Sequence, residues 1–89
     1  MKIQGHAAIV TGGGSGLGEA TARELARLGA KVTVLDVNLA NAQKVASEIG
    51  GIACQADVTD TASLEKAFAT AAAAHGPARI LMNIRSEEH

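Results

Sequence analysis

The sequence predicts an α/β fold, the first half of a doubly wound parallel sheet, and three observations carry that reading. Short β-branched, apolar runs alternate along the chain with longer stretches whose apolar residues recur at i, i+3, i+4 and i+7. The runs are apolar at consecutive rather than alternate positions, as in strands covered on both faces. The connections are a few residues long, and such an order is assembled by right-handed crossovers into a parallel sheet.

The elements follow in order. Ala7 to Thr11 is a continuous apolar run and reads as the first strand. From Leu17 to Leu28, the apolar Leu17, Leu25 and Leu28 gather with the small Gly18, Thr21 and Ala22 on one helical face, opposite Glu19, Arg23 and Arg27, and Gly29 closes the helix. Val32 to Asp36 is the second strand. Asn38 then caps a helix that buries Ala42, Val45, Ala46 and Ile49 and ends at Gly50 and Gly51. Ile52 to Ala56 is the third strand. Asp60 caps a third helix with the inner face Leu64, Ala67, Phe68 and Ala71, stopped by Gly76 and Pro77. Arg79 to Ile84 completes a fourth strand.

With 89 residues, 47% of them hydrophobic, the chain has the balance of one globular domain at most. Eight Lys and Arg against nine Asp and Glu, with no basic run, argue against a nucleic-acid partner. There is no Trp and no Tyr, so Phe68 is the one aromatic of a thin core built from Ala, Val, Ile and Leu. A domain of this length buries only about 60 to 65% of its unfolded surface, so marginal stability or dependence on a ligand or partner is expected. The run Ala7 to Val10 is too short for a signal-peptide core or a membrane span, and a cytoplasmic location without membrane association is the expectation. The lone Cys54 excludes an intramolecular disulfide and reads as a small buried residue inside a strand. His6, His75 and His89 lack metal-ligand spacing, so no metal site is expected.

The chemistry concentrates in Thr11-Gly12-Gly13-Gly14-Ser15-Gly16-Leu17-Gly18, between the first strand and the first helix. There Gly12 can take a tight turn, Gly16 leaves room for a pyrophosphate, and Gly18 allows close packing of the helix. The helix's first-turn N–H groups attract the anion. A Walker phosphate loop would need Gly-Lys-Ser/Thr, but Gly18 is followed by Glu19. Asp36 ends the second strand 20 positions after Gly16, where an acidic side chain accepts hydrogen bonds from adenosine ribose hydroxyls and repels a 2'-phosphate. With Ser15 and Val37 uncharged, no Lys or Arg stands ready to hold that phosphate, and NAD is favoured over NADP. The alternative for Asp36 is a solvated strand-end residue. Asp57 and Val58, after the third strand, are candidates for contact with adenine, although Asp57 with Thr59 and Asp60 also fits plain turn and cap chemistry.

These residues resemble the short-chain dehydrogenase/reductase family: Thr11-Gly12-x-x-x-Gly16-x-Gly18, Asp36 after the second strand, and Ala56-Asp57-Val58-Thr59 after the third, a match running from residue 5 to residue 84. Within the family, Gly-Gly-x-Ser-Gly-Leu-Gly, Leu35-Asp36 and Asp57-Val58 are most similar to the NAD-dependent 3-hydroxyacyl-CoA dehydrogenases of the short-chain type. The resemblance implies a Rossmann half-domain over residues 1–84, with strand order 3-2-1-4. It also implies cofactor contacts from Gly12, Ser15, Gly16, Leu17 and Gly18 at the glycine loop, from Asp36 at the ribose, and from Asp57 and Val58 at the adenine.

Two departures qualify the resemblance. The family continues its fourth strand into Asn-x-Ala-Gly, whereas here Asn83-Ile84 leads into the polar residues 85–89, which reads as a truncation, a frame change or a cloning remnant and puts Asn83 and Ile84 in doubt as cofactor contacts. The family's acid/base is a Tyr, followed four residues later by a Lys and aided by a Ser that holds the substrate oxygen, but these 89 residues contain no Tyr. No catalytic residue is therefore assigned, and hydride transfer by these residues alone is expected to be absent. The expected function is the NAD-binding portion of an oxidoreductase acting between a secondary alcohol and a ketone. The alternatives are a non-catalytic dinucleotide-binding module or a self-associating fragment, whose first two helices share one sheet face while the fourth strand forms an unprotected edge.

Overall fold

The computed structural model describes residues 3–14 and 16–84. It builds β1 (Ala7–Thr11), α1 (Gly16–Arg27), β2 (Lys31–Asp36), α2 (Leu39–Ile49), β3 (Ile52–Gln55), α3 (Thr61–His75) and β4 (Ala78–Asn83). The strands form one parallel sheet in the order β3-β2-β1-β4. The boundaries of α1, β2, β3 and β4 differ from the sequence reading by one residue, because the terminal turn or ladder bond of an element depends on its neighbour. Residues 85–89, read above as a polar tail, lie outside the described residues.

The central β1 and β2 are buried on both faces, as their unbroken apolar runs require. On one face Ala8, Val10, Val32 and Val34 pack against Ala22 and Leu25 of α1 and Ala42, Val45 and Ala46 of α2. On the other, Ile9, Leu35, Cys54 and Ala56 meet Ala67 and Ala71 of α3, with Leu64 and Phe68 half-buried at the margin. Burial pushes the Cys54 thiol pKa up, which keeps it a neutral, apolar filler. The helix ends are capped as expected. Asn38 accepts from the Asn41 N–H, Asp60 accepts from the Ala62 and Ser63 N–H groups, and Gly50 closes α2 in the left-handed conformation.

Two expectations for α1 require correction. Leu17 and Leu28 do not join the buried face: they are 63% and 39% exposed, whereas Gly18, Ala22 and Leu25 face the sheet. The buried stripe thus starts at Gly18 and follows i, i+4, i+7. Leu17, one residue earlier, is rotated about 100° away from it, and Leu28 lies past the last helical residue. On the outer surface Arg23 joins Glu19 at 2.8 Å and also Glu48, linking α1 to α2 through solvent-screened charges.

The sheet is unevenly covered. β4 lies at one edge, with Leu81 57% exposed. An open hollow of about 310 Å³, lined by Ile9, Phe68, Ala72, Ala78 and Leu81, runs beside α3. Among the described residues no helix is long and apolar enough to cross a membrane, and no cluster of three or more potential metal ligands occurs.

Candidate functional site at the carboxyl edge of the sheet

Register decides where the site forms. Thr11 is level with Leu35 on one side and Asn83 on the other, and Asp36 is level with Gln55. The four strands therefore finish together, and the segments that follow them gather along one edge, where open α/β sheets receive ligands.

The glycine loop leaves β1 at Thr11, whose buried side chain ties it down. The Thr11 hydroxyl donates to Asn83 Oδ1 at 2.8 Å and accepts from the Ile84 N–H at 3.1 Å. Asn83 and Ile84, in doubt from the sequence, thus lie against the base of the loop, and the Ile84 carbonyl oxygen is 2.8 Å from where a Gly12 Cβ would stand. Sequence reasoning assigned Thr11 no such task, although a polar residue ending a fully buried strand was the available signal.

Gly12 turns the chain with φ of +66°, a region where a side chain is strained. The loop then leans on β2, where Gly13 N–H donates to the Leu35 carbonyl at 3.1 Å and Gly14 N–H donates to Asp36 Oδ2 at 3.0 Å. At Gly18 a Cβ would lie 2.6 Å from the Gly12 carbonyl carbon and closer still to its oxygen, so the helix is packed on the loop itself as well as on the strand. Gly16 is the opposite case. Its φ is +58°, and a Cβ would meet nothing within 4 Å, which leaves open space at the N-terminus of α1. The exposed Leu17 follows it. Ser15 lies outside the described residues.

Asp36 stands beside the loop at the end of β2. Its Oδ1 accepts from the Asn38 N–H at 2.9 Å while its Oδ2 takes the Gly14 N–H, so the carboxylate joins the glycine loop to the start of α2. At the end of β3 the competing turn chemistry is present. Asp57 Oδ1 accepts from the Thr59 hydroxyl at 2.7 Å and the Thr59 N–H at 2.9 Å, and these donors hold its pKa below the usual carboxyl value. The Asp57 N–H donates to Ser63 Oγ at 3.1 Å, leaving Val58 exposed beside it. Gln55, which the sequence did not single out, donates from Nε2 to the Val37 carbonyl at 3.1 Å and joins the ends of β2 and β3.

The residues present fit a dinucleotide. A bare, open Gly16 at a helix N-terminus suits a diphosphate, and a carboxylate one strand away suits ribose hydroxyls.

A family model described as short chain dehydrogenase matches residues 6–84. Sorbitol dehydrogenase of Cereibacter sphaeroides is 40% identical over 85 residues, which cover 93% of this chain and 33% of that protein. The 2,5-dichloro-2,5-cyclohexadiene-1,4-diol dehydrogenase LinX of Sphingobium indicum is 44% identical over 87 residues, covering 92% of this chain and 35% of the relative. Among solved structures, 3-ketoacyl-(acyl-carrier-protein) reductase from Brucella melitensis, complexed with NADH, superposes with a TM-score of 0.86 at 40% identity over 89% of this chain and 34% of its own. The chain spans about a third of the length of these proteins.

Proposed function

The chain belongs to the short-chain dehydrogenase family, and from that premise we propose that residues 1–84 are the NAD-binding portion of an oxidoreductase acting between a secondary alcohol and a ketone. The family binds nicotinamide dinucleotides; the choice of NAD is our own reading. It rests on Asp36, whose negative charge faces the position of the adenosine ribose with no Lys or Arg among its immediate neighbours Leu35, Val37 and Asn38. A 3-hydroxyacyl-CoA is the substrate class suggested by the loop and strand-end sequences.

The observation that carries the proposal is the pairing of open space over Gly16 with the Asp36 carboxylate beside the same loop. In this reading the backbone of Gly12, Gly16 and Gly18 shapes the diphosphate site, and Ser15 joins by sequence alone. Leu17 borders the nicotinamide side, Asp36 accepts from the ribose, and Asp57 and Val58 flank the adenine. The bound dinucleotide would supply the hydride acceptor or donor. Because these 89 residues contain no Tyr, they bind and orient without supplying the family's tyrosine acid/base.

Calorimetric titration tests the reading. Saturable NAD binding is expected, weakened about tenfold or more by Asp36→Ala, which removes a charged hydrogen-bond acceptor, with NADP the poorer ligand. Absence of NAD binding at millimolar concentration, or equal affinity for NADP, would overturn it.

A second reading, self-association of this chain, is favoured by the exposed edge of β4 and the apolar hollow beside it. It expects a concentration-dependent dimer by sedimentation that Leu81→Lys abolishes. A monomer at all concentrations would exclude it.

A further inference from the structure

Three successive glycines, residues 12 to 14, have no side chains to anchor them and the most backbone entropy to lose on ordering. Their shape is therefore imposed from outside, and Asp36 supplies a charged tie. Its two carboxylate oxygens are held by N–H groups from two different elements, Gly14 at 3.0 Å and Asn38, the N-cap of α2, at 2.9 Å. The fit around Gly14 is close: a Cβ there would lie 2.6 Å from Asp36 Oδ2 and 2.8 Å from Asn41 Cβ, so loop, carboxylate and helix start form one packed unit.

We propose that Asp36 is a positioning residue for the glycine loop, clamping Gly14 to the start of α2 so that the diphosphate site has its shape before any ligand arrives. The ribose contact is then made by a carboxylate that is already oriented. The consequence for binding rests on the cofactor reading above; the clamp itself does not.

The two possible roles of Asp36 predict opposite signs with a probe that has no ribose. If Asp36 acts only as a ribose acceptor, removing its negative charge leaves the binding of inorganic diphosphate unchanged or strengthens it, because a like charge near the anion is lost. If Asp36 holds the loop, the same substitution weakens diphosphate binding, because ordering the glycines must then be supplied by the ligand.

The experiment uses the 89-residue chain, with amide hydrogen exchange and diphosphate titrations followed by NMR in wild type, Asp36→Ala and Asp36→Asn. Hydrogen bonds to charged groups being the stronger kind, Asp36→Ala is expected to speed Gly14 exchange about tenfold. Asp36→Asn, which keeps a neutral acceptor, should produce a smaller change, with core amides of β1 and β2 unaltered in both variants. Diphosphate binding should weaken several-fold in Asp36→Ala. Unchanged Gly14 exchange in a folded variant, or tighter diphosphate binding, overturns the proposal. If Asp36→Ala does not fold, Asp36→Asn decides by Gly14 exchange alone, because it keeps a neutral acceptor while losing the charge that opposes diphosphate: faster Gly14 exchange supports the clamp and unchanged exchange overturns it. If the wild type binds neither diphosphate nor NAD, the cofactor reading fails and Gly14 exchange alone judges the clamp.

Discussion

Replacing Gly18 with alanine places a methyl group where the Gly12 carbonyl already stands. The new carbon would lie 2.6 Å from the carbonyl carbon and 3.0 Å from Gly13 Cα, with the oxygen nearer still. Ordinary carbon–oxygen contacts need about 3.3 Å or more, so α1 or the loop must give way by roughly one and a half ångström. Both sides of the clash are backbone, and neither can rotate out of the way. Overpacking of this kind costs about 3 kcal/mol at the upper end of its usual range, and the better helix propensity of alanine returns about 1 kcal/mol. The net loss is about 2 kcal/mol, which lowers the melting temperature of a domain this size by roughly 8 to 16 °C. Urea unfolding followed by circular dichroism reads this as a lower midpoint at unchanged slope. Helix propensity alone predicts the opposite sign, so a variant as stable as wild type, or more stable, would refute the close-packing argument.

Leu35→Ala, at a position 1% exposed between Ile9, Cys54 and α3, should cost about 3 kcal/mol by opening a cavity in the thin α3-side core; a loss under 1 kcal/mol by denaturant titration would mean that this layer collapses to fill it. Asp60→Ala removes the acceptor for the Ala62 N–H at 3.0 Å and should destabilise α3 by about 1 kcal/mol, which amide exchange at Ala62 and Ser63 would detect as lost protection. Asp57 has a folded pKa below its ordinary 3.8, so its ionised form favours the folded state above that value, and this contribution disappears as the pH falls through the folded pKa. Thr59→Ala should therefore lower the unfolding midpoint more at pH 6 than in acid, where Asp57 becomes protonated, and an equal deficit across that range would assign the effect to packing rather than to the carboxylate.

The alternation of strands and helices was legible because both its signals are local. Consecutive apolar residues such as Ala7 to Val10 mark a strand covered on two faces, and Asn38, Asp60 and Gly50 mark helix ends through hydrogen bonds with their own chain neighbours. Leu17 and Leu28 were misread for a related reason. A wide small-and-apolar stripe did not show which edge faces the sheet, so Leu17, about 100° from the Gly18-Ala22-Leu25 line, was counted with it, and spacing alone did not show that the helix ends at Arg27, before Leu28. The candidate site divides in the same way. Gly12, Gly16, Gly18 and Asp36 could be picked out because glycines and an acidic strand end are needed locally by an anion site and a ribose site. Thr11 and Gln55 escaped notice because their partners, Asn83 and Ile84 for one and Val37 for the other, are remote along the chain.

By itself, then, the sequence determined the order of elements, the position of the glycine loop and the presence of an acidic residue near it. Only the tertiary structure decided that Gly18 is barred from carrying a side chain by the Gly12 carbonyl, that Gly16 opens onto free space, and that Asp36 holds the Gly14 N–H. Local propensity acts on neighbours in the chain, whereas steric exclusion and hydrogen bonding act between atoms that the folded β1–α1 turn and the parallel strand register bring to the same edge.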